Sequence, residues 1–446
     1  MGVAMRLSIG RLSSVIFVPA LALACGDPED GRGDEGAEGG ILTTVSATAG
    51  NETGEGTDSA SATGSNSGSN SNSGTADGAD GETGMGLKFD LGAQPDANVG
   101  CDGGGGGGGG GAPDFSYIWI ANSGEGTISK INTQTLVEEG RYIVRPDSAG
   151  SPSRTSVNLN GDVVVANRSG GVTMIYATPE RCPNPANTSS GPGDVKAWPD
   201  GCVGWYTPFA YASQRPVQWT QGTFDNSTCR YEDTKAWTSG ANGSIDVVLM
   251  DGETGVVEQT IPIPGVAPNF YGIYGGAVDA SGNFWGSQLG QGFLVRVDID
   301  DFAVSTWPMP TSGYGMTVDS QGNVWTCSGN VARFDVATET WQTAYAGGNG
   351  GCMEDGNGTL WLANDPMVGV DINTMAVVQT IDLPSYVHGI SIDFYGYVWG
   401  PAIYNNEAYR VDPVAGTIDT VTGLNYPYTY SDMTGFALSN AGGPIG

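Results

Sequence analysis

The 446 residues include a single histidine. His388 stands in Val387-His388-Gly389-Ile390, five residues before Asp393. Tyr314 stands five before Asp319 and Tyr274 five before Asp279, in segments of similar pattern. Arg154 and Arg215 fall at or near the same level in two earlier segments, and Asp432 lies just before the equivalent Thr434. Brought together, these side chains offer an imidazole, two phenols, two guanidiniums and a carboxylate. That mixture suits a polar ligand whose anionic group is held between arginines and whose body stacks on tyrosine. The competing reading is that the arginines pair with local acids and the tyrosine rings fill space.

Other chemistry lacks its parts. No Gly-x-Ser-x-Gly, Cys-x-x-Cys, His-Glu-x-x-His or Walker sequence occurs. The nine glycines from Gly103 to Gly111 are not followed by Lys-Ser/Thr or by a helical pattern, so they read as linker rather than phosphate loop. One histidine and no paired cysteine spacing argue against zinc. A Ser-His-Asp set has its histidine, but nothing designates the serine. Neither a metal nor a cofactor is expected.

The elements that position these residues recur. Asp279-Ala-Ser-Gly-Asn-Phe-Trp285, Asp319-Ser-Gln-Gly-Asn-Val-Trp325, Asp355-Gly-Asn-Gly-Thr-Leu-Trp361 and Asp393-Phe-Tyr-Gly-Tyr-Val-Trp399 place their tryptophans 40, 36 and 38 residues apart. Short strands at a period near 40 signal propeller blades. The Asp, Gly and Asn positions are turn residues, and successive copies lack the clustered oxygen ligands of a calcium loop. Weaker copies centre on Trp119, Val164 and Trp237, which makes seven. The first copy begins at its second strand, and Met433 to Leu438 resembles an isolated inner strand. The expected fold is therefore all-β: a seven-bladed β-propeller closed by a C-terminal strand that completes the first blade. Closure removes the exposed sheet edges of a linear array.

These copies resemble the streptogramin B lyase type of propeller. The stretch Ile120-Ala-Asn-Ser-Gly-Glu-Gly-Thr-Ile-Ser-Lys-Ile-Asn132 resembles the surface-protein repeats that begin Tyr-Val-Thr-Asn. The resemblance covers about residues 115 to 440 and implies a fold that serves enzymes and binding scaffolds alike. For the lyases it implies His and Glu side chains working with a divalent metal on one face of the ring. His388 matches the family's His-Gly-Ile pattern. The Glu that often follows the blade tryptophan is missing, because Gly-Ser-Gln, Thr-Cys-Ser, Leu-Ala-Asn and Gly-Pro-Ala stand there. General-base chemistry with metal support then lacks partners. The expectation is a binding or scaffold propeller that takes a polar small molecule, glycan or peptide at its channel mouth. The alternative is a lyase-like enzyme with altered catalytic residues.

Residues 179–233 form the one irregular stretch, read as an insertion, with Trp198, Trp205, Tyr206, Trp219 and Tyr231. They either stack on a ligand or pack onto the ring, and Trp205 and Trp219 also fit an outer and an inner strand. Cys101, Cys182, Cys202, Cys229, Cys327 and Cys352 are even in number and allow 15 connectivities. Cys327 and Cys352 lie on strands of neighbouring blades and are expected to pair.

Residues 1–24 read as a signal peptide, with Arg6, Arg11 and a short apolar run ending at Ala24. The segment Leu21-Ala-Leu-Ala-Cys-Gly26 resembles a bacterial lipobox, which would acylate Cys25; ordinary cleavage after Ala24 is the other outcome. Residues 25–113 are rich in Ser, Gly and Asn, carry 15 acidic against two basic residues, and read as a disordered stalk. The folded part is then 114–446. The chain is expected to be exported, to touch a membrane only through the anchor of a cell-envelope lipoprotein, and to be monomeric. A net charge of −31 argues against nucleic acid.

Overall fold

The computed structural model describes residues 116–441. The expected signal peptide and stalk, with Cys25 and Cys101, fall outside these residues. Six four-stranded antiparallel sheets and one three-stranded sheet stand in sequence order, making a seven-bladed β-propeller. Blade 1 holds Tyr117–Asn122, Thr127–Asn132 and Glu138–Ile143. The inner strands of blades 2 to 7 are Pro152–Val157, Ser213–Trp219, Gly275–Val278, Gly315–Val318, Cys352–Glu354 and Ser391–Ile392.

The Asp-to-Trp motif builds one turn in blades 4 to 7. In blade 5 the Asp319 carboxylate accepts the amides of Gln321 (3.0 Å) and Asn323 (2.8 Å), and its other oxygen accepts the Trp325 indole N–H (2.7 Å). Asp279, Asp355 and Asp393 do the same for Trp285, Trp361 and Trp399. The glycine of the motif has φ of +81° to +87° at Gly322, Gly282, Gly396 and Gly358, which a side chain would disfavour. Trp119 and Trp237 have no such aspartate, and they bond Gly161 O (3.1 Å) and Gly282 O (2.9 Å) in the turn of the next blade. All six of these indoles are buried between sheets, together with Trp219 on an inner strand. The carboxylates are thus used up by turn amides and indoles, as structural residues.

Ring closure differs from expectation. Met433–Leu438 is not a strand. An irregular strap takes the inner place of blade 1: Trp119 N–H donates to Met433 O (2.8 Å), Ala121 N–H to the Thr429 hydroxyl (2.8 Å), and Asn122 forms an isolated bridge with Pro427. A proline has no amide hydrogen, so a regular ladder fails there. Beyond the strap the Asp432 carboxylate accepts the amides of Thr434 (3.1 Å), Gly435 (2.8 Å) and Leu438 (3.2 Å). With Gly435 at φ +88°, this bends the chain into the short helix Phe436–Ala441. The helix lies across the face where the inner strands end. Phe436 packs with blades 6 and 7, Leu438 with blades 2 and 3, and Ala441 with blades 4 and 5. Asn440 donates to buried Glu354.

The irregular stretch 179–233 also resolves differently. It is two insertions separated by regular strands, because Trp205 lies in the outer strand Val203–Thr207 and Trp219 in the inner strand Ser213–Trp219. One insertion precedes Val203, and the other is the hairpin Thr223–Asp225 with Arg230–Glu232. Their aromatics pack: Trp205 donates to Gly252 O (2.8 Å), Trp198 meets Tyr206 edge-on (5.7 Å) and Tyr231 meets Phe224 (5.2 Å).

Disulfides join Cys182 to Cys202 and Cys327 to Cys352, the second pair with Cα atoms 6.2 Å apart across blades 5 and 6. Cys229 is disulfide-bonded as well. Disulfides point to an oxidising, extracellular or periplasmic compartment. No helix among the described residues is long and apolar enough to cross a membrane.

Candidate functional site

The site is built where inner strands begin. Tyr274 N–H bonds Ser287 O (2.7 Å), Tyr314 N–H bonds Cys327 O (2.8 Å) and His388 N–H bonds Pro401 O (3.0 Å). Each is the first residue secured to the far end of its blade's second strand, so the shared register carries the three side chains to one level of the channel. Gly350 holds that level in blade 6, where a Cβ would meet His388 O at 2.4 Å; the missing side chain lets blade 7 approach.

The strap adds Tyr428 and Tyr430, and loops add Tyr271 and Tyr386. The rings interlock: Tyr274 meets Tyr314 edge-on at 5.2 Å and stacks on Tyr430 at 5.6 Å, while Tyr314 meets His388 at 4.7 Å. Their hydroxyls form one directed chain. Tyr386 donates to Asn349 O (2.6 Å), and its single hydrogen is thereby used. It must accept from His388 Nδ1–H (2.6 Å). Neutral imidazole then has an acceptor at Nε2, to which the Tyr314 hydroxyl donates its hydrogen bond. Tyr274 donates to Tyr314 (3.1 Å), and Tyr428 closes the set against Tyr274 (3.0 Å). Burial, with Arg154 nearby, holds the His388 pKa down at about 3, so the imidazole is neutral at pH 7. Burial also raises the Tyr314 and Tyr386 phenols well above their ordinary range.

Arg154 and Arg215 press on these rings. The Arg154 guanidinium lies 2.9 Å from the Tyr430 centroid and 4.9 Å from that of Tyr274. Arg215 lies 4.4 Å from Tyr271 and 4.6 Å from Tyr274, and Arg168 sits 4.9 Å from Tyr428. Arg154 is 1% exposed and Arg215 8%. The ion pairs among the described residues engage Arg141, Arg145, Arg181, Arg296 and Arg410, but neither of these two. Arg154 Nε and Arg215 Nε and Nη1 are buried with no hydrogen-bond partner. Burial pulls the Arg154 pKa down to about 9; neighbouring tyrosines offset this in part and Arg215 adds to it. Magnitudes show an imbalance. A desolvated cation–π contact is worth ~2 kcal/mol, whereas removing a cation from water costs several. Arg154 donates to the carbonyls of Ser153 (3.1 Å) and Tyr274 (3.3 Å), but among the described residues neither cation has a counter-charge.

Of the residues expected to meet, His388, Tyr314, Tyr274, Arg154 and Arg215 do so. Asp432 does not, since both its oxygens face the backbone amides that start the helix, and burial pushes its pKa up to about 6. The sequence reading missed Tyr271, Tyr386, Tyr428 and Tyr430. A signal was present in Tyr426-Pro-Tyr428-Thr-Tyr430, whose alternate tyrosines point one way in an extended chain. No group of His, Cys, Asp or Glu suited to a metal occurs among the described residues.

No family model and no curated protein matches the sequence. Solved structures match the fold. A protein from Lactobacillus plantarum superposes with TM-score 0.50 at 9% identity, covering 71% of this chain and 98% of that one. A streptogramin B lyase gives 0.47 at 15%, covering 65% and 89%. Virginiamycin B lyase from Staphylococcus aureus gives 0.45 at 13%, covering 61% and 84%. At such identities the likeness is one of fold.

Proposed function

We propose that this propeller is an exported binding protein whose channel mouth takes a polar ligand through an anionic group, without turnover. One observation carries the reading: Arg154 and Arg215 are buried, unpaired with any carboxylate among the described residues, and left with free N–H donors at the centre of the ring. An anion there supplies the missing counter-charge, and a charge-assisted pair in a low-dielectric site is strong. Tyr271, half-buried on the loop before blade 4, lies against Arg215 and stands between it and the rim. His388 orients Tyr314 rather than attacking a substrate. Lipid attachment at Cys25 would hold the domain at the cell envelope on its acidic stalk.

A glycan and peptide array probed with the exported chain identifies ligands, and calorimetry then tests the residues. Arg154→Met with Arg215→Met should weaken binding at least tenfold while folding is retained, since apolar replacements remove buried charge. His388→Ala should weaken it only modestly. Unchanged affinity in the double variant would move the site elsewhere. Turnover of any ligand, lost in His388→Ala, would replace this reading with the lyase-like one.

A further inference from the structure

The rim of the mouth carries aromatics that the ring does not need. Phe270 is 74% exposed, Tyr404 72% and Tyr345 78%. Phe270 lies in the loop leading into blade 4, Tyr404 in the loop between the second and third strands of blade 7, and Tyr345 at the end of the outer strand of blade 5. All three belong to the end of the propeller where inner strands begin. Two of them connect inward through ring contacts. Phe270 meets Tyr271 edge-on at 5.0 Å, and Tyr271 meets Tyr274 at 5.4 Å. On the other side Tyr404 lies 6.1 Å from Tyr386, which lies 5.7 Å from His388. Two aromatic shelves thus descend from solvent to the arginine-bearing centre.

Large exposed rings gathered around one opening mark an interaction surface. A ring face is electron-rich and accepts the electropositive C–H face of a pyranose, while phenol hydroxyls at its edge meet sugar hydroxyls. The centre between the shelves is cationic in an otherwise acidic protein. We propose that the ligand is an acidic oligosaccharide, with sugar rings on the Phe270 and Tyr404 shelves and a uronate-type carboxylate between Arg154 and Arg215. This rests on the anion site proposed above and names its ligand class. An acidic peptide would satisfy the arginines but would leave the two flat shelves without a matching face.

The test is calorimetry of the exported chain with trisaccharides of galacturonate, glucuronate, mannuronate and guluronate, their methyl esters, and hexaglutamate. At least one uronate should bind, with its ester at least tenfold weaker. Phe270→Ala with Tyr404→Ala, both at exposed positions, should weaken that trisaccharide at least tenfold yet leave the rise in Tm caused by sulfate unchanged. Binding of hexaglutamate as tight as any uronate, silence of all four uronates, or indifference to the aromatic variant would overturn the sugar assignment. If sulfate still raises Tm through Arg154 and Arg215 in those cases, the anion site stands alone; if it does not, the underlying reading fails as well.

Discussion

At the scale of single residues, His388 has a cost that a titration exposes. Unfolded, its imidazole titrates near 6.5; folded, it does so at about 3. Between these values the unfolded chain holds a proton that the folded one excludes. The folded state's advantage is therefore complete above about pH 6.5 and lost as pH falls. Asp393 and Asp432, raised to about 6 by burial, work in the opposite direction over an overlapping range. The clean quantity is the stability of the parent minus that of His388→Gln. It should fall by about 3 kcal/mol from pH 7 to pH 4 in urea unfolding, and a flat difference would mean that the imidazole is not held neutral. The residues legible beforehand were those at or near the motif's register, namely His388, Tyr314, Tyr274, Arg154 and Arg215. Tyr428, Tyr430, Tyr271 and Tyr386 were not, because strap and loop residues obey no repeat. Asp432 was misplaced because a carboxylate that takes the amides of Thr434, Gly435 and Leu438 looks the same in a string of letters as one facing a channel.

Among elements, the turn built on each motif aspartate was legible because one carboxylate satisfies two amides and an indole at fixed spacing. The closing strap was not, since an alternating pattern predicts extension whether or not its amides find a ladder, and Pro427 removes one of them. The Cys327–Cys352 bridge ties the second strand of blade 5 to the inner strand of blade 6, next to Gly350 in the wall of the site. Closing a loop of 25 residues is worth about 3.5 kcal/mol by loop-entropy reasoning. Cys327→Ser with Cys352→Ser should lower stability by roughly that amount, and non-reducing peptide maps of the parent should show this pair and Cys182–Cys202. Either cysteine recovered in another pairing would contradict the packing of those blades.

For the whole molecule, seven sheets close through side-by-side burial, and the last contact made is the one with least regular bonding. Removal of residues 430–446 deletes Tyr430, Met433 and the helix that spans six of the blades. The truncated chain should lose its cooperative thermal transition or aggregate, because each blade depends on its neighbours for buried surface. A truncation that melts like the parent would show that the strap before residue 430 suffices.

The helix across the base has one more consequence. Ser116 enters beside Thr133, at the turn end of blade 1, and Ala441 lies on the same side of the ring. The helix therefore covers that face of the propeller, and the described residues begin and end on it, opposite the rim. A bulky label placed on the helix side should leave capture intact, whereas one grafted at the Tyr404 loop should stand in the doorway.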